Sequence, residues 1–193
     1  QAKIDWKNQQ KNNQIQPQPG MDPSSPAVDP SSSAGPSSPV SNVGARLATT
    51  AESMRGMSSK DAPGTRGGRR ACVWAVNQVF KKAGIRTPWG SSNWVANAES
   101  AMIRDGWLGP IPHNEKQPGD VAICYDAGKI VSGKLVKQAH IGIIISNGNV
   151  LSNSSSGKAF TWESSIREIE DYYKRETGEG KVKLYRHPSI VST

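Results

Sequence analysis

Two side chains in this sequence combine as a nucleophile and a base, namely Cys72 and His140. Apolar residues at helical spacing predict a helix that begins near Cys72 and stops at Gly84. The backbone N–H groups and the dipole at a helix start stabilise an anion, so we expect the Cys72 thiol to ionise more readily than a free cysteine. Arg69 and Arg70 add positive charge there. A cysteine in this position is otherwise a small buried apolar residue, unless the chain supplies a base.

His140 begins a predicted strand, residues 139–145, whose other members are almost all apolar and often β-branched. A histidine here is either structural or a base whose ring points at a partner. A cysteine nucleophile needs such a base within hydrogen-bond reach, and a third polar group that holds the base in the right tautomer. A helical cysteine followed well downstream by a strand histidine is the arrangement that papain-like enzymes use.

The remaining patterns predict an α+β domain. Besides the Cys72 helix, helical spacing predicts helices at 43–57, 92–106 and 164–175, and alternation predicts strands at 121–125, 139–145, 150–153 and 181–186. The segments 107–118 and 126–138 are predicted to be irregular. Asp120 is predicted to hold a turn through backbone N–H groups. This order favours N-terminal helices packed on a small antiparallel sheet, with all the helices on one face of that sheet.

The N-terminal third has a different composition. Residues 1–16 are rich in Gln, Asn and Lys, which allows only a frayed helix that needs a partner. Residues 17–39 are dominated by Pro, Ser, Gly and Asp, which predicts an extended linker. We therefore expect residues 1–66 to form a Pro/Ser-rich, extended and largely disordered arm, and residues 67–193 to form the domain.

The chain has 193 residues and a net charge of +8. This charge either attracts an anionic partner, such as nucleic acid, a membrane surface or a teichoic-acid-like polymer, or only keeps the chain in solution. The sequence contains no nucleic-acid module, no phosphate-binding glycine loop, no apolar run of membrane-spanning length and no zinc-ligand spacing. We therefore expect no nucleic acid, no membrane span, no metal and no cofactor.

Cys72 and Cys124 permit one disulfide, which would suit a non-enzymatic secreted domain; otherwise Cys124 packs in the core. The first residue is Gln1 rather than Met. We therefore expect a processed product or a fragment of a longer polypeptide, from which an address signal has been removed.

Three motifs together resemble the NlpC-type and CHAP-type cell-wall cysteine peptidases, small members of the papain-like superfamily. They are Cys72-Val73-Trp74-Ala75-Val76, Pro118-Gly119-Asp120-Val121-Ala122-Ile123 and His140-Ile141-Gly142-Ile143-Ile144, followed by the Asn147-Gly148 hairpin. Each motif alone is common, whereas all three in this order are more specific. The resemblance covers residues 69–187 and implies a papain-like fold.

The resemblance implies that Cys72 attacks a peptide or amide carbonyl of peptidoglycan, with His140 as base and then as acid to the leaving amine. NlpC-type enzymes often carry a histidine as the third residue, where this chain has Ser152 or Asn153. An undistorted two-residue turn pairs Gly142 with Asn153, whereas a bulge brings Ser152 to the face of His140. We predict Asn153, because an amide oxygen orients an imidazole better than a hydroxyl does. Both residues otherwise belong to a solvated hairpin end.

Ala71 is a second departure, because CHAP-type members often carry glutamine before the cysteine. The resemblance implies a peptidoglycan endopeptidase or amidase, and the departures leave open an inactive wall-binding or structural module of the same fold. It implies a location outside the cell, at the cell wall, or in a phage virion, with the arm docked onto a tail or cell-surface protein. Trp74, Trp94 and Trp107 either line a substrate groove or belong to the core.

Overall fold

The computed structural model describes residues 43–126, 129–131, 134–136, 139–177 and 180–190. Its four helices are α1 (Val43–Ser53), α2 (Cys72–Lys82), α3 (Val95–Arg104) and α4 (Ile166–Thr177). Its strands are β1 (Leu108–Ile111), β2 (Val121–Asp126), β3 (Lys129–Val131), β4 (Lys134–Val136), β5 (Ala139–Ile144), β6 (Val150–Ser154), β7 (Ala159–Ser164) and β8 (Gly180–Arg186). The predicted frayed helix and linker, residues 1–39, lie outside the described residues.

Six strands form one antiparallel sheet in the order β1-β8-β2-β5-β6-β7, and β3 pairs with β4 in a separate hairpin. The α+β class is therefore confirmed. Two segments predicted to be irregular contain strands instead. Segment 107–118 supplies β1, which pairs with β8, and segment 126–138 supplies the β3–β4 hairpin. These strands are too short to show an alternating pattern in the sequence, since β1 has four residues and β3 and β4 have three each.

The sheet has a helix-covered core on each face, because successive side chains of a strand point to opposite sides. Ile123, Ile141 and Ile143 face α1, α2 and α3, and we call this side the α2 face. Cys124 and Val182 face Ile169 of α4 on the other side, which we call the α4 face. The expectation that all helices share one face was wrong. Apolar side chains of the strands point to both faces of the sheet, so helices pack on both faces.

Helix α2 forms as the sequence predicts. Val76, Val79 and Phe80 are completely buried against the sheet. The helix ends at Gly84, which adopts φ +67° and donates its N–H to the Lys81 carbonyl at 3.1 Å. A left-handed residue after a helix is the usual glycine stop. This packing fixes the position of Cys72, the first residue of α2.

Helix α1 belongs to the packed domain, although we expected the domain to begin only at residue 67. Leu47 and Ala51 have no exposed surface and lie in the same core as α2. Gly119 also packs against α1, because a Cβ atom there would lie 2.3 Å from the Cα of Gly44. The apolar residues of α1 are small and few, so composition alone hides their burial. Residues 1–42 of the predicted arm lie outside the described residues.

Asp120 holds its turn as predicted, by accepting the Gln117 N–H at 2.8 Å. Its carboxylate also binds Arg186 in a bidentate ion pair, with both nitrogen–oxygen distances at 2.8 Å. Asp120 is completely buried, and this fork geometry satisfies both of its oxygens. The pair fastens β8 to the turn before β2, away from the His140 end of β5.

Candidate active site

Cys72 is the first residue of α2 and packs, partly exposed, against the core of the α2 face. Backbone N–H groups of Ile141, Val73 and Cys72 itself face the sulfur and lower its pKa. Burial has the larger effect, so the pKa of the Cys72 thiol is raised above its ordinary value. We expected a lowered pKa from the helix start alone. That expectation was wrong because desolvation of the thiolate outweighs the N–H groups, and the resting side chain is a neutral thiol.

The contact with Ile141 places the sulfur at a particular point of the sheet. The N–H of Ile145 points to β6, where Asn149 accepts it at 2.9 Å, and residues two and four positions earlier point the same way. Pairing of β5 with β6 begins at Gly142 and Ser152, so Ile141 lies just outside the paired region. Cys72 therefore sits where β5 and β6 separate, beside the residue that follows His140.

His140 is buried on the α4 face of β5. Its Nε2 lies 2.7 Å from the Oγ of Ser152, and its ring packs on Trp162 with centroids 4.6 Å apart. The ring also lines a small apolar cavity with Cys124 and Ile169. Burial lowers the pKa of His140 to about 4, because this apolar pocket stabilises the uncharged ring. His140 is thus a neutral imidazole at neutral pH, which is the form that accepts a proton.

Ser152, rather than Asn153, is the neighbour of His140. The hairpin loop has three residues, 146–148, with Gly148 at φ +79° and its N–H bonded to the Ile145 carbonyl at 2.9 Å. The longer loop pairs Gly142 with Ser152. Our preference for Asn153 assumed a two-residue turn and was wrong. One extra loop residue shifts the register by one and exchanges the two faces of β6.

Ser152 lies between the ring of His140 and the backbone of β7. The Ser152 hydroxyl lies 3.2 Å from the Trp162 carbonyl oxygen, which only accepts. If the hydroxyl donates its one proton to that carbonyl, it accepts from His140, the ring proton lies on Nε2, and the lone pair of Nδ1 is available. Nδ1 is the ring nitrogen nearer to the backbone of β5. This tautomer suits a base that takes a proton from a group beside β5.

Cys72 and His140 lie near the same end of β5 but on opposite faces of the sheet. The sulfur lies against the Ile141 N–H, and the imidazole is attached one residue earlier with its ring on the α4 face. Within the described part of the chain, no hydrogen bond joins Sγ to the ring. Nδ1 likewise has no hydrogen-bond partner among these residues.

Asn153 lies on the opposite face of β6, the α2 face, and makes different contacts. It is 1% exposed, and its Nδ2 donates to the Gly68 carbonyl at 3.2 Å and to the Ser154 carbonyl at 3.3 Å. Its Oδ1 is buried without a partner in the described structure. Asn153 therefore anchors the loop that leads into Cys72.

Sequence reasoning missed Trp162, because it did not predict β7. The pairing of β6 with β7 shifts between Ser152 and Ser154, so a bulge lets Trp162 face His140 while Phe160 enters the α2-face core. The extended run of alternating residues at 159–164 was the available signal, but a bulge is not visible in a single sequence.

The three tryptophans named above have different environments. Trp107 is buried, Trp74 is half-buried against the α2-face core, and Trp94 is 68% exposed at the start of α3. Trp107 is therefore a core residue. Trp94 has the exposure that a substrate-groove residue needs.

The described residues contain no cluster of three His, Cys, Asp or Glu side chains suited to a metal ion. No disulfide joins Cys72 to Cys124, which faces α4. No helix in the described ranges is long and apolar enough to cross a membrane. Among the described residues, the chemistry of the site rests on a thiol, an imidazole and a hydroxyl.

Comparison with known proteins gave no match to any family model, curated sequence or solved structure.

Proposed function

We propose that this protein is a peptidoglycan endopeptidase or amidase in which Cys72 is the nucleophile and His140 the base. One observation carries the proposal. Burial keeps His140 uncharged with its Nε2 2.7 Å from the Ser152 hydroxyl, and the backbone N–H of the next residue, Ile141, faces the Cys72 sulfur. A thiol, a neutral base and an orienting hydroxyl are the parts that acyl transfer through a cysteine requires.

In the proposed reaction, the Cys72 thiol gives its proton to Nδ1 of His140 as the sulfur bonds to the carbonyl carbon. The carbonyl π electrons move to oxygen and form a tetrahedral oxyanion. Collapse of this intermediate breaks the C–N bond, and Nδ1 returns the proton to the leaving amine. A thioester remains on Cys72. Water then attacks it with His140 again as base, which releases a carboxylic acid and restores the thiol.

The raised pKa of Cys72 and the lowered pKa of His140 suit this order of events. Both groups are neutral at rest, so proton transfer accompanies attack instead of preceding it. The backbone N–H groups of Cys72 and Val73, which face the sulfur, are close to where the oxyanion would form. Fixed N–H donors at a helix start stabilise such charge.

The finer structural and cellular features belong to the same proposal. We assign the domain to the papain-like fold, because a helix beginning with cysteine lies against a strand that carries the histidine. The site would act outside the cell, at the wall, or in a phage tail. The arm, residues 1–42, would dock the domain onto a tail or cell-surface protein.

A wall-binding module without turnover is the second candidate. One observation favours it: Cys72 and His140 lie on opposite faces of the sheet, and no hydrogen bond joins the sulfur to the ring among the described residues. Such a module would bind the same wall but release nothing.

The test measures the amine groups released from purified peptidoglycan. We expect steady release by the wild type without new reducing sugar ends, because an amide and not a glycosidic bond is cut. Cys72→Ala should release none. Lys82→Ala is the control and should keep the wild-type rate, since Lys82 is exposed at the opposite end of α2 from Cys72. Equal release by Cys72→Ala and the wild type would rule out thiol catalysis, and binding without release by either would favour the inactive module.

A further inference from the structure

We propose that the loop before Cys72, residues 62–70, is a binding site for carboxylate groups of the peptide stem of the wall, held by Arg66, Arg69 and Arg70. We call it the arginine loop. This inference rests on the proposed function, because it identifies the part of the substrate that the loop would hold.

The arginine loop is rigid because Thr65 organises its centre. Thr65 is 1% exposed, and its hydroxyl donates to the Ala62 carbonyl at 2.7 Å. The same oxygen accepts the Gly68 N–H at 3.1 Å, and the Thr65 carbonyl accepts the Arg70 N–H at 2.9 Å. These bonds satisfy the inner polar groups and fix the path of the backbone.

Two further contacts attach the loop to the sheet. Asn153 of β6 binds the Gly68 carbonyl. Gly68 has φ +82°, and a Cβ atom there would lie 2.8 Å from the Ser59 carbonyl oxygen, so the backbones are in close contact. Residues held in this way lose little further entropy when a ligand binds.

The three arginines of this anchored loop, Arg66, Arg69 and Arg70, are exposed to solvent. None of them makes an ion pair with a described residue. The charged neighbours next to the loop, Lys60 and Asp61, cancel one another. The local charge is therefore strongly positive and uncompensated, although five other arginines, Arg55, Arg86, Arg104, Arg167 and Arg186, do pair with carboxylates.

The position of the loop connects this charge to the nucleophile. Arg70 precedes Cys72 by two residues, so their Cα atoms are at most about 7.6 Å apart. An anion held there would belong to the molecule whose carbonyl meets the sulfur. A guanidinium binds a carboxylate through two parallel hydrogen bonds, which gives direction as well as attraction. A stem peptide carries free carboxylates close to its amide bonds, and it therefore fits the site.

The test measures binding of the intact chain carrying Cys72→Ala, which keeps the arginine loop but does not cut. The probes are peptidoglycan freed of phosphate polymers, and the same material with its carboxylates converted to amides. Arg69→Gln/Arg70→Gln is the variant. Lys81→Gln/Lys82→Gln is the matched control, because it removes two exposed charges at the other end of α2.

We expect the arginine variant to weaken binding to the untreated wall by at least about tenfold and the lysine variant to leave it unchanged. On the amidated wall, the arginine variant and its parent should bind equally. An unchanged affinity of the arginine variant would overturn the inference. A defect that persists on the amidated wall, or one seen only when phosphate polymers are present, would also overturn it. Arginine-dependent binding without amine release by the wild type would refute the proposed function alone.

Discussion

His140 is an uncommon histidine because the fold keeps it neutral. Trp162 and Ile169 lie around its ring, and Ser152 supplies a single hydrogen bond to Nε2. A neutral hydroxyl does not stabilise an imidazolium as a carboxylate would, so burial decides the pKa. The neutral ring can accept a proton, but protonation of the buried ring lowers the stability of the folded protein. This loss of stability can be measured without any substrate.

The stability of the protein should therefore fall as the pH drops from 6.5 to 4. The pKa of His140 is lowered from 6.5 to about 4, so the unfolded chain binds more protons in this interval. This contribution to stability is fully present above pH 6.5 and is lost as the pH falls towards 4, where the loss amounts to about 3 kcal/mol. Urea unfolding of the wild type and of His140→Gln at pH 7.5, 5.5 and 4 measures it.

The wild type should lose about 3 kcal/mol more than His140→Gln between pH 7.5 and 4, because carboxylates titrate equally in both proteins. If the two proteins lose the same free energy of unfolding, His140 is not held neutral.

The positions of individual residues could be predicted where the pattern of apolar residues around them defines a helix or a strand. The Cys72 helix start and the His140 strand start both follow from the apolar periodicity around them, and the structure has both. The raised pKa of Cys72 did not follow, because desolvation depends on the sheet that packs against α2. Trp162 was missed for a related reason, since its contact with His140 depends on a bulge between neighbouring strands.

At the scale of elements, the β5–β6 hairpin decides which residue orients the base. Its three-residue loop sets the register that brings Ser152 to His140 and turns Asn153 towards Gly68. The sequence signal Asn-Gly is shared by two-residue and three-residue loops, so it located the turn but not the register. Short strands such as β1 and β3 were missed because three or four residues are too few to show an alternating pattern. Helix α1 was assigned to the arm because most of its buried residues are small.

Ser152→Ala should lower the rate of amine release by about tenfold with little change in KM, because the ring of His140 loses the group that holds its tautomer. Ser156→Ala, at an exposed position in the turn between β6 and β7, is the control and should keep the full rate. Ser152→Thr keeps the hydroxyl and should restore part of the activity. Full activity of Ser152→Ala would show that the register seen here does not serve catalysis.

At the scale of the whole molecule, the two groups of the proposed reaction lie on opposite faces of one sheet. Cys72 belongs to the core formed with α1, α2 and α3, whereas His140 belongs to the core formed with α4. They share only the end of β5, where β6 diverges. No local sequence pattern links residues 72 and 140. Their relative positions depend on how the whole sheet is ordered. The proposed function depends on whether the thiol and the ring exchange a proton across this strand end.

The most direct test is the rate of Cys72 alkylation by iodoacetamide between pH 5 and 10, followed by intact mass in the wild type and in His140→Gln. If Nδ1 accepts the thiol proton as the sulfur attacks, alkylation of the wild type near pH 7 is assisted by a base that the variant lacks, and we expect it to be about tenfold slower in the variant. Both proteins should converge at high pH, where the thiol ionises unaided. Superimposable profiles across the whole pH range would show that the thiol and the imidazole are independent, and would contradict the proposed mechanism.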